Sequence, residues 1–268
     1  MRIVIDVQGA QSLNRARGIG RASIELVHAL ARCAGANELW LLANGALTES
    51  LADFETTFGD AVPLERTRIF DVPGDVWEAA PANVWRARAS ELEREAFLQD
   101  LRPDAVVVTS LFEGLHDNAV TSIGSLGPGS RTAAVLYDLI PLTYPDVYIA
   151  DEPSKRWYFR KLQSLKNAGT LLAISDYSAG DAIQRLGVAN ERLRTMPLAA
   201  HGRFRPVTIA ADAAKTLLGR YRIDRPFVMC TGGIDHRKNI ERLVEAFAIL
   251  KARTDDRYQL VIVCACSD

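Results

Sequence analysis

The stretch Ala105-Val106-Val107-Val108 decides the fold class, because it is apolar at every position where a half-exposed strand would alternate. Such a strand is covered on both faces, which is typical of a parallel sheet flanked by helices. We predict a strand over Ala105–Thr109. Short runs rich in β-forming residues recur along the chain, and they predict further strands at Arg2–Val7, Glu38–Ala43, Arg68–Val72, Thr132–Asp138, Thr170–Ser175, Arg192–Leu198, Pro226–Thr231 and Gln259–Ala265.

Amphipathic helices are predicted between these strands. Apolar residues recur at helical spacing in Gly20–Ala34 and in Asn239–Lys251. We expect the Asn239 side chain to accept a hydrogen bond from a first-turn N–H of the second helix. Strands that alternate with helices predict an α/β fold, a Rossmann-like doubly wound parallel sheet.

Composition excludes several classes of protein. The chain has 268 residues, of which 48% are hydrophobic and 24% charged, as in an ordinary folded protein of one or two domains. Thirty-two basic and thirty-three acidic residues leave a formal charge of -1, so we expect no nucleic-acid partner. The four cysteines form no C-x-x-C pair, and neither a zinc site nor a disulfide framework is expected.

The start of the chain and the length of its apolar runs predict where in the cell the protein is found. Asp6 interrupts the first apolar run, so Met1–Asp6 lacks the character of a signal peptide. The longest apolar runs are far shorter than the roughly 18 to 20 residues that cross a bilayer. We therefore expect a cytoplasmic protein.

The segment 199–206 separates two predicted domains. It follows a strand, has no helical periodicity, and contains Gly202 and Pro206. We place one domain at residues 1–205 and the start of a second at 206–268. The segment Gly124–Gly129 is predicted to be a surface loop between a helix and a strand.

A first candidate anion site is Arg17-Gly18-Ile19-Gly20-Arg21, at the mouth of the first helix. Glycines there let backbone N–H groups approach a phosphate, and the helix N-terminus adds partial positive charge. A dinucleotide fingerprint would need Gly or Ala where Ser23 stands, and an acidic residue where Asn44 ends the second strand. The alternative is a loop that only turns the chain.

A second candidate anion site is Thr231-Gly232-Gly233-Ile234-Asp235-His236-Arg237-Lys238-Asn239. Two glycines at the carboxyl end of a strand, two adjacent cations and a helix start form a cradle for an anion. Lys238 supplies a point charge and Arg237 a planar fork, and both suit phosphate oxygens. The alternative is a solvated Arg-Lys pair at a turn.

These motifs together resemble the retaining GT-B glycosyltransferases of family 4. In that family an N-terminal Rossmann-like domain handles the acceptor and a C-terminal one binds a nucleotide-sugar, with bacterial mannosyltransferases of O-antigen and exopolysaccharide assembly as the nearest look-alikes. The matching motifs are Arg17-Gly18-Ile19-Gly20-Arg21, Leu111-Phe112-Glu113-Gly114, Tyr137-Asp138-Leu139-Ile140-Pro141-Leu142, Ile174-Ser175-Asp176-Tyr177-Ser178 and Gly232-Gly233-Ile234-Asp235-His236-Arg237-Lys238-Asn239.

The resemblance assigns roles at the donor diphosphate. Lys238 and Arg237 would neutralise its charge as the sugar–phosphate bond breaks, so no metal and no other cofactor is expected. Some relatives have an arginine at the position of Gly233, which leaves more of this work to Lys238. The residues assigned to the donor are Gly18, Gly20, Gly232, Gly233, Arg237 and Lys238.

On the acceptor side, the resemblance makes Asp138 and Glu113 the catalytic candidates. Many relatives have a histidine where this chain has Tyr137, so Asp138 is the remaining polar side chain at that strand tip. Asp138 either orients an acceptor hydroxyl, interacts with the donor sugar, or caps the following turn. Glu113 either contacts substrate or is structural.

The family's second domain carries two glutamates separated by seven residues, and no pair in these 268 residues has that spacing. We therefore expect a C-terminally truncated chain: an acceptor domain with the first βαβ of a donor domain, inactive by itself. The resemblance implies transfer of a hexose, mannose in the nearest look-alikes, from a nucleoside-diphosphate sugar to a glycan or lipid-linked acceptor, with retention, in cell-surface polysaccharide biosynthesis.

Two other functions stay open at this point. One is a non-catalytic truncated relative that acts as a binding or scaffold protein, and the other is a nucleotide-sugar isomerase or epimerase. The stretch 155–166 combines five cations with three aromatic residues. It predicts either peripheral association with the inner face of the membrane, or a helix whose Trp157, Phe159 and Leu162 pack on the sheet while its cations are solvated.

Overall fold

The computed structural model describes residues 1–233 and 235–264. The chain forms two compact units, Met1–His201 (unit 1) and Gly202–Asp268 (unit 2), and the division falls between His201 and Gly202. Unit 1 contains a seven-stranded sheet and unit 2 a two-stranded sheet.

All strands of unit 1 are parallel, in the order β3-β2-β1-β4-β5-β6-β7. They are β1 Arg2–Asp6, β2 Glu38–Asn44, β3 Thr67–Phe70, β4 Ala105–Val108, β5 Thr132–Leu136, β6 Thr170–Ala173 and β7 Leu193–Thr195. The predicted strands of unit 1 are confirmed, with ends displaced by up to three residues. Because β4 pairs directly with β1, the strand order changes direction between these two strands, as in a doubly wound sheet.

The strands of unit 1 are joined by eight α-helices within the described residues. They are α1 Gly18–Cys33, α2 Thr48–Leu51, α3 Phe54–Phe58, α4 Val84–Asp100, α5 Ile140–Thr143, α6 Pro145–Tyr148, α7 Glu152–Asn167 and α8 Asp176–Leu186. The continuous apolar runs are buried on both sides of the sheet. In β4, Val106 and Val108 belong to one buried apolar cluster and Val107 to another.

Unit 2 contains α9 Ala211–Arg220, β8 Phe227–Thr231, α10 Ile240–Arg253 and β9 Gln259–Val263. The strands pair in parallel, from Phe227 beside Gln259 to Thr231 beside Val263. This is one βαβ unit, as predicted. The last strand was expected to reach Ala265, which lies outside the described residues.

The connection from β4 to β5 differs from the prediction. We expected Gly124–Gly129 to follow a helix, but residues 109–128 contain no helix. Most of 109–123, the buried connection, is nonetheless buried. Buried backbone polar groups require partners, and distant side chains supply them: Gln8 Nε2 donates to Val120 O at 2.6 Å, Val120 N donates to Gln8 Oε1 at 2.7 Å, and Ile123 N donates to Ser164 Oγ at 2.6 Å.

Helix α7 is packed differently from the expectation for stretch 155–166. Leu162 is buried and Trp157 half-buried as predicted, but Phe159 is 52% exposed and Tyr158 takes the buried position. Lys161 was expected to be solvated, yet it is buried and its Nζ donates to Thr121 O and, at 2.8 Å, to Thr121 Oγ1. At this position the Lys161 ammonium satisfies the Thr121 carbonyl, which the buried connection presents to α7.

None of the helices in the described ranges has both the length and the apolar composition needed to cross a bilayer.

Candidate functional site

The carboxyl ends of β1, β4 and β5 form one edge of the sheet in unit 1. The change of direction between β1 and β4 lies on this edge, and open α/β sheets bind ligands in the crevice at such a point. Three of the predicted features reach it: the turn that precedes α1, Glu113 after β4, and Asp138 after β5.

Glu113 is enclosed by side chains from both sides of the crevice. Its Oε1 accepts a hydrogen bond from Ser110 Oγ at 2.6 Å, and its Oε2 accepts one from Asn14 Nδ2 at 2.9 Å. Its backbone oxygen accepts a hydrogen bond from Trp157 Nε1 at 3.2 Å. Glu113 is only 3% exposed, so its contacts are with the protein. The carboxylate joins the turn after β4 to the turn before α1.

Burial raises the pKa of Glu113 from about 4.5 to about 7. The negative charge of Asp117 acts in the same direction, whereas hydrogen bonds from Ser110, Ser12 and Asn14 oppose it. Burial also raises the pKa of Tyr137 to about 12. Glu113 therefore exchanges a proton close to neutral pH, which is the range useful to a general acid or base.

The turn before α1 is held by Asn14. Asn14 O accepts hydrogen bonds from Arg17 N at 2.9 Å and from Gly20 N at 3.2 Å, while its side chain holds Glu113. Any side chain at Gly20 would overlap the backbone of Arg15, so this position requires glycine. No described atom lies within 4 Å of the place a Cβ would take at Gly18, and Gly18 lies open at the start of the helix.

The second carboxylate, Asp138, is half-buried at the tip of β5. Its Oδ1 accepts a hydrogen bond from Ile140 N at 3.1 Å, which is the turn-capping contact expected as one of its two roles. The neighbouring Tyr137 hydroxyl is within 3.3 Å of Thr109 O and 3.4 Å of Ile19 O. Tyr137 thereby links β5 to β4 and to the first turn of α1.

The glycine-rich loop of unit 2 follows β8. Gly232 has a φ of +139°, which a side chain would strain. Asp235 accepts hydrogen bonds from Arg237 N and Arg237 Nε, both at 3.0 Å. Lys238 is exposed, and its Cε lies 3.7 Å from the position of a Cβ at Gly232. Of this motif, Ile234 lies outside the described residues.

The expected cap on α10 is wrong. Asn239 makes no side-chain capping bond and has a left-handed φ of +51°. Asp235 instead caps the short turn His236–Lys238 that precedes the helix. This turn contains Arg237 and Lys238. Asp235 therefore stabilises the loop that carries these two cations, and not the start of α10.

The candidate residues divide between the units. Unit 1 holds Gly18, Gly20, Glu113 and Asp138; unit 2 holds Gly232, Gly233, Arg237 and Lys238. The structure brings Glu113 and the glycine turn together through Asn14. Asn14 and Ser110 were not predicted, because their sequence environments carry no motif and Asn14 is 99 residues away from Glu113.

Replacing Glu113 by glutamine is expected to stabilise unit 1 above pH 7 by up to about 3 kcal/mol and to change little at about pH 5. The folded state with a pKa near 7 binds a proton that the unfolded state has already lost, so wild-type stability falls as pH rises from about 4.5 to about 7. Urea unfolding of both proteins at low and high pH measures this. Glu49→Gln, at an exposed side chain, is the matched control. An equal difference at both pH values would contradict the assignment.

Comparison with known proteins gives long matches. The chain is 30% identical over 263 residues to the serotype-specific mannosyltransferase WbdA of Escherichia coli, which covers 98% of the chain and 31% of that protein. The chain is similar to bacterial mannosyltransferases along almost its whole length. A second Escherichia coli WbdA is 28% identical over 230 residues, covering 85% of the chain and 28% of that protein. The chain thus spans about a third of the length of the curated relatives it matches. No protein-family model matches the sequence.

A solved structure supports the fold. HepE of Anabaena, solved in complex with UDP and glucose, matches 99% of the chain and 61% of its own chain with a TM-score of 0.52 and 14% identity. At that identity the likeness concerns the fold alone. The predicted fold class is confirmed: the chain has the Rossmann-like α/β fold found in GT-B glycosyltransferases.

Proposed function

We propose that the chain is part of a glycosyltransferase in cell-surface polysaccharide biosynthesis. The enzyme moves a hexose, which we propose to be mannose, from a nucleoside-diphosphate sugar to a glycan or lipid-linked acceptor. The observation that carries this proposal is the alignment of 263 residues with a mannosyltransferase. The nucleotide donor is supported further by HepE, which shares the fold and was solved with UDP and glucose. We assign residues 1–205 to the acceptor side and residues 206–268 to the start of the nucleotide-sugar-binding domain.

In this proposal the loop of unit 2 receives the donor diphosphate. Gly232 and Gly233 let the backbone approach, and Lys238 and Arg237 supply positive charge. Arg237 already donates to Asp235, which holds its guanidinium in place and offsets part of its charge. Lys238 is therefore the main cation for the leaving diphosphate. Fixed positive charge at a leaving group lowers the barrier without a metal ion.

The acceptor side is the edge of unit 1 that carries Asp138 and Glu113. Asp138 lies half-exposed at the tip of β5, where it can orient an acceptor hydroxyl while Oδ1 holds Ile140 N. Glu113 is enclosed, so we assign it to positioning the turn before α1 through Asn14. We also assign it to binding and releasing a proton near neutral pH. From the family resemblance we also assign Gly18 and Gly20, at the start of α1, to donor binding.

We also propose that transfer retains the anomeric configuration, as in glycosyltransferase family 4. Residues 1–268 alone, in this proposal, do not turn over donor.

We further propose that the protein acts in the cytoplasm, at the inner face of the membrane. Lys155, Arg156 and Phe159 are exposed on α7 and would make the membrane contact. Flotation with anionic and neutral vesicles tests this contact. Binding that is absent from both, or unaffected by Phe159→Ser, would contradict it.

The test of the main proposal is an assay with a panel of nucleotide-sugars that includes GDP-mannose. It uses these 268 residues and, beside them, the product of the whole reading frame. We expect sugar-dependent release of nucleoside diphosphate from the latter, with a product whose anomeric configuration is read by NMR. Failure of every donor, together with no nucleotide binding by calorimetry, would exclude a glycosyltransferase. Nucleotide binding without turnover by either protein would favour the non-catalytic binding protein.

A further inference from the structure

A cavity of about 520 Å³ lies beside β4 in unit 1. Its walls are the second half of α4, one face of β4, the beginning of β5, and parts of the segment 122–132. A crossover helix between β4 and β5 would normally cover this part of a parallel sheet, but residues 109–128 contain none. The cavity is thus the space that the buried connection leaves unfilled.

The floor of the cavity is apolar. It is formed by Leu98 of α4, Val106 and Val108 of β4, and Ile123, all of which are buried. These residues come from regular elements or from the hydrogen-bonded end of the buried connection. The volume falls within the roughly 300–1,000 Å³ of typical small-molecule sites.

The buried charges that line the cavity are satisfied by the protein itself. Glu95 accepts hydrogen bonds from Ser122 Oγ at 2.6 Å, Ser125 N at 3.1 Å and Leu126 N at 2.7 Å. Arg94 is paired with the carboxylate of Asp6. Neither of these two groups calls for an external partner.

The rim carries cations that the protein does not satisfy. Arg102 and Arg131 both line the cavity and are exposed, and in the part of the chain that the structure describes neither guanidinium has a hydrogen bond or ion pair. Asp104 also lines the cavity, and its Oδ2 accepts a hydrogen bond from Arg2 N at 2.7 Å. Both acidic side chains that line the cavity, Glu95 and Asp104, thus accept hydrogen bonds from the protein, whereas the two guanidinium groups at the rim have no such partner among the described residues.

We propose that this cavity binds a small anionic molecule with an apolar body, such as an aromatic sulfonate, carboxylate or phosphate ester. The apolar floor would take the ring system, and Arg102 and Arg131 would take the anionic group, since guanidinium groups bind such oxygens in a planar fork. Arg102 precedes β4 and Arg131 precedes β5, whereas the proposed catalytic edge lies at the carboxyl ends of these strands. The proposed anion contact is therefore at the opposite end of the strands from the site of proposed transfer.

A matched pair of fluorescent probes tests the proposal on the full 268-residue chain. Anilinonaphthalene sulfonate has the apolar body and the negative charge, and N-phenylnaphthylamine has the same body without the charge. Arg102→Gln combined with Arg131→Gln removes the rim cations, which are exposed and leave the core intact. The control Arg32→Gln changes an exposed arginine of α1 that does not line the cavity.

A second variant, Gly127→Leu, blocks the cavity directly. A Cβ at Gly127 would stand 2.8 Å from Gln99 Nε2, the end of a flexible side chain that can move away. The new side chain therefore projects between the loop and α4, where both residues line the cavity. Circular dichroism and thermal melting confirm that each variant is folded before binding is measured.

We expect the double arginine variant to weaken sulfonate binding roughly tenfold, as loss of the charged contacts implies, with little change for the neutral probe. Gly127→Leu should weaken both probes, and Arg32→Gln neither. If Gly127→Leu leaves sulfonate binding unchanged, the probe binds elsewhere and the cavity is not the site. If the double variant affects the sulfonate no more than Arg32→Gln does, the anionic ligand class is wrong.

Discussion

Replacing Arg94 by methionine is expected to lower the free energy of unfolding of unit 1 by about 3–5 kcal/mol, because it leaves a buried charge without its partner. Arg94 is fully buried and donates through Nε to Asp6 Oδ2 at 2.7 Å and through Nη1 to Ser122 O at 3.0 Å. Without it, Gln8 is the one hydrogen-bond donor that the Asp6 carboxylate keeps among residues 1–233 and 235–264. Urea unfolding followed by circular dichroism measures the loss.

A matched variant and a double variant separate pairing from packing. Arg185→Met removes a partly exposed arginine that pairs with Asp181 at 3.2 Å, and we expect it to cost less than about 1 kcal/mol. Asp6→Asn combined with Arg94→Met should cost less than the sum of the single changes, because neither charge is then left alone. A loss for Arg94→Met no larger than for Arg185→Met would show that the pair does not stabilise the fold.

If the chain has the proposed transferase function, replacing Lys238 by alanine is expected to reduce turnover by roughly 100-fold or more, the range observed when one fixed charge-stabilising group is removed. Lys238 is exposed beside Gly232 and, among the described residues, its Nζ has no hydrogen bond or ion pair. Arg237 is already bound to Asp235, so Arg237→Ala should cost less. Release of nucleoside diphosphate under saturating donor measures both.

The control for this prediction is Lys251→Ala. Lys251 belongs to α10, outside the glycine-rich loop, and its Nζ lies 3.4 Å from Asp256 Oδ1. This variant should leave turnover unchanged. Nucleotide affinity measured beside turnover separates donor binding from stabilisation of the leaving group. If Arg237→Ala is the more damaging change, or if Lys238→Ala is nearly neutral, Lys238 is not the principal diphosphate cation.

The strands could be predicted from the sequence because buried parallel strands are short apolar runs, and Ala105–Val108 is such a run. Helix α4 was not predicted, since its buried face carries Ser90, Glu91, Arg94 and Glu95 among apolar residues. Hydrophobic periodicity assumes that the inward face is apolar. Here Arg94 and Glu95 hold Ser122 of the buried connection, and Glu91 pairs with Arg88 and Arg160. Only the folded chain brings these partners together.

The candidate site, like the fold, was predicted only in part from the sequence. The glycine turns, Glu113 and Asp138 were predicted from motifs and a family resemblance, and the structure places Glu113 in a buried hydrogen-bond network with Asn14 and Ser110. Asn14 and Ser110 enclose Glu113 but belong to no motif that could reveal them. Asp6 looked like a residue that merely interrupts an apolar run, whereas its partner Arg94 lies 88 residues further along the chain. Long-range polar pairs leave no periodic signal in a single sequence.

The buried connection also has a consequence for the order of folding. Its amide and carbonyl groups at Val120 and Ile123 are satisfied by Gln8, 112 residues away, and Ser164, 41 residues away. The segment can therefore reach its native path only after the first strand and the seventh helix have docked, which favours late folding because long loops must close first. Hydrogen exchange at the Val120 amide should accordingly report opening of the whole of unit 1 and not local fraying, although the segment has no regular secondary structure.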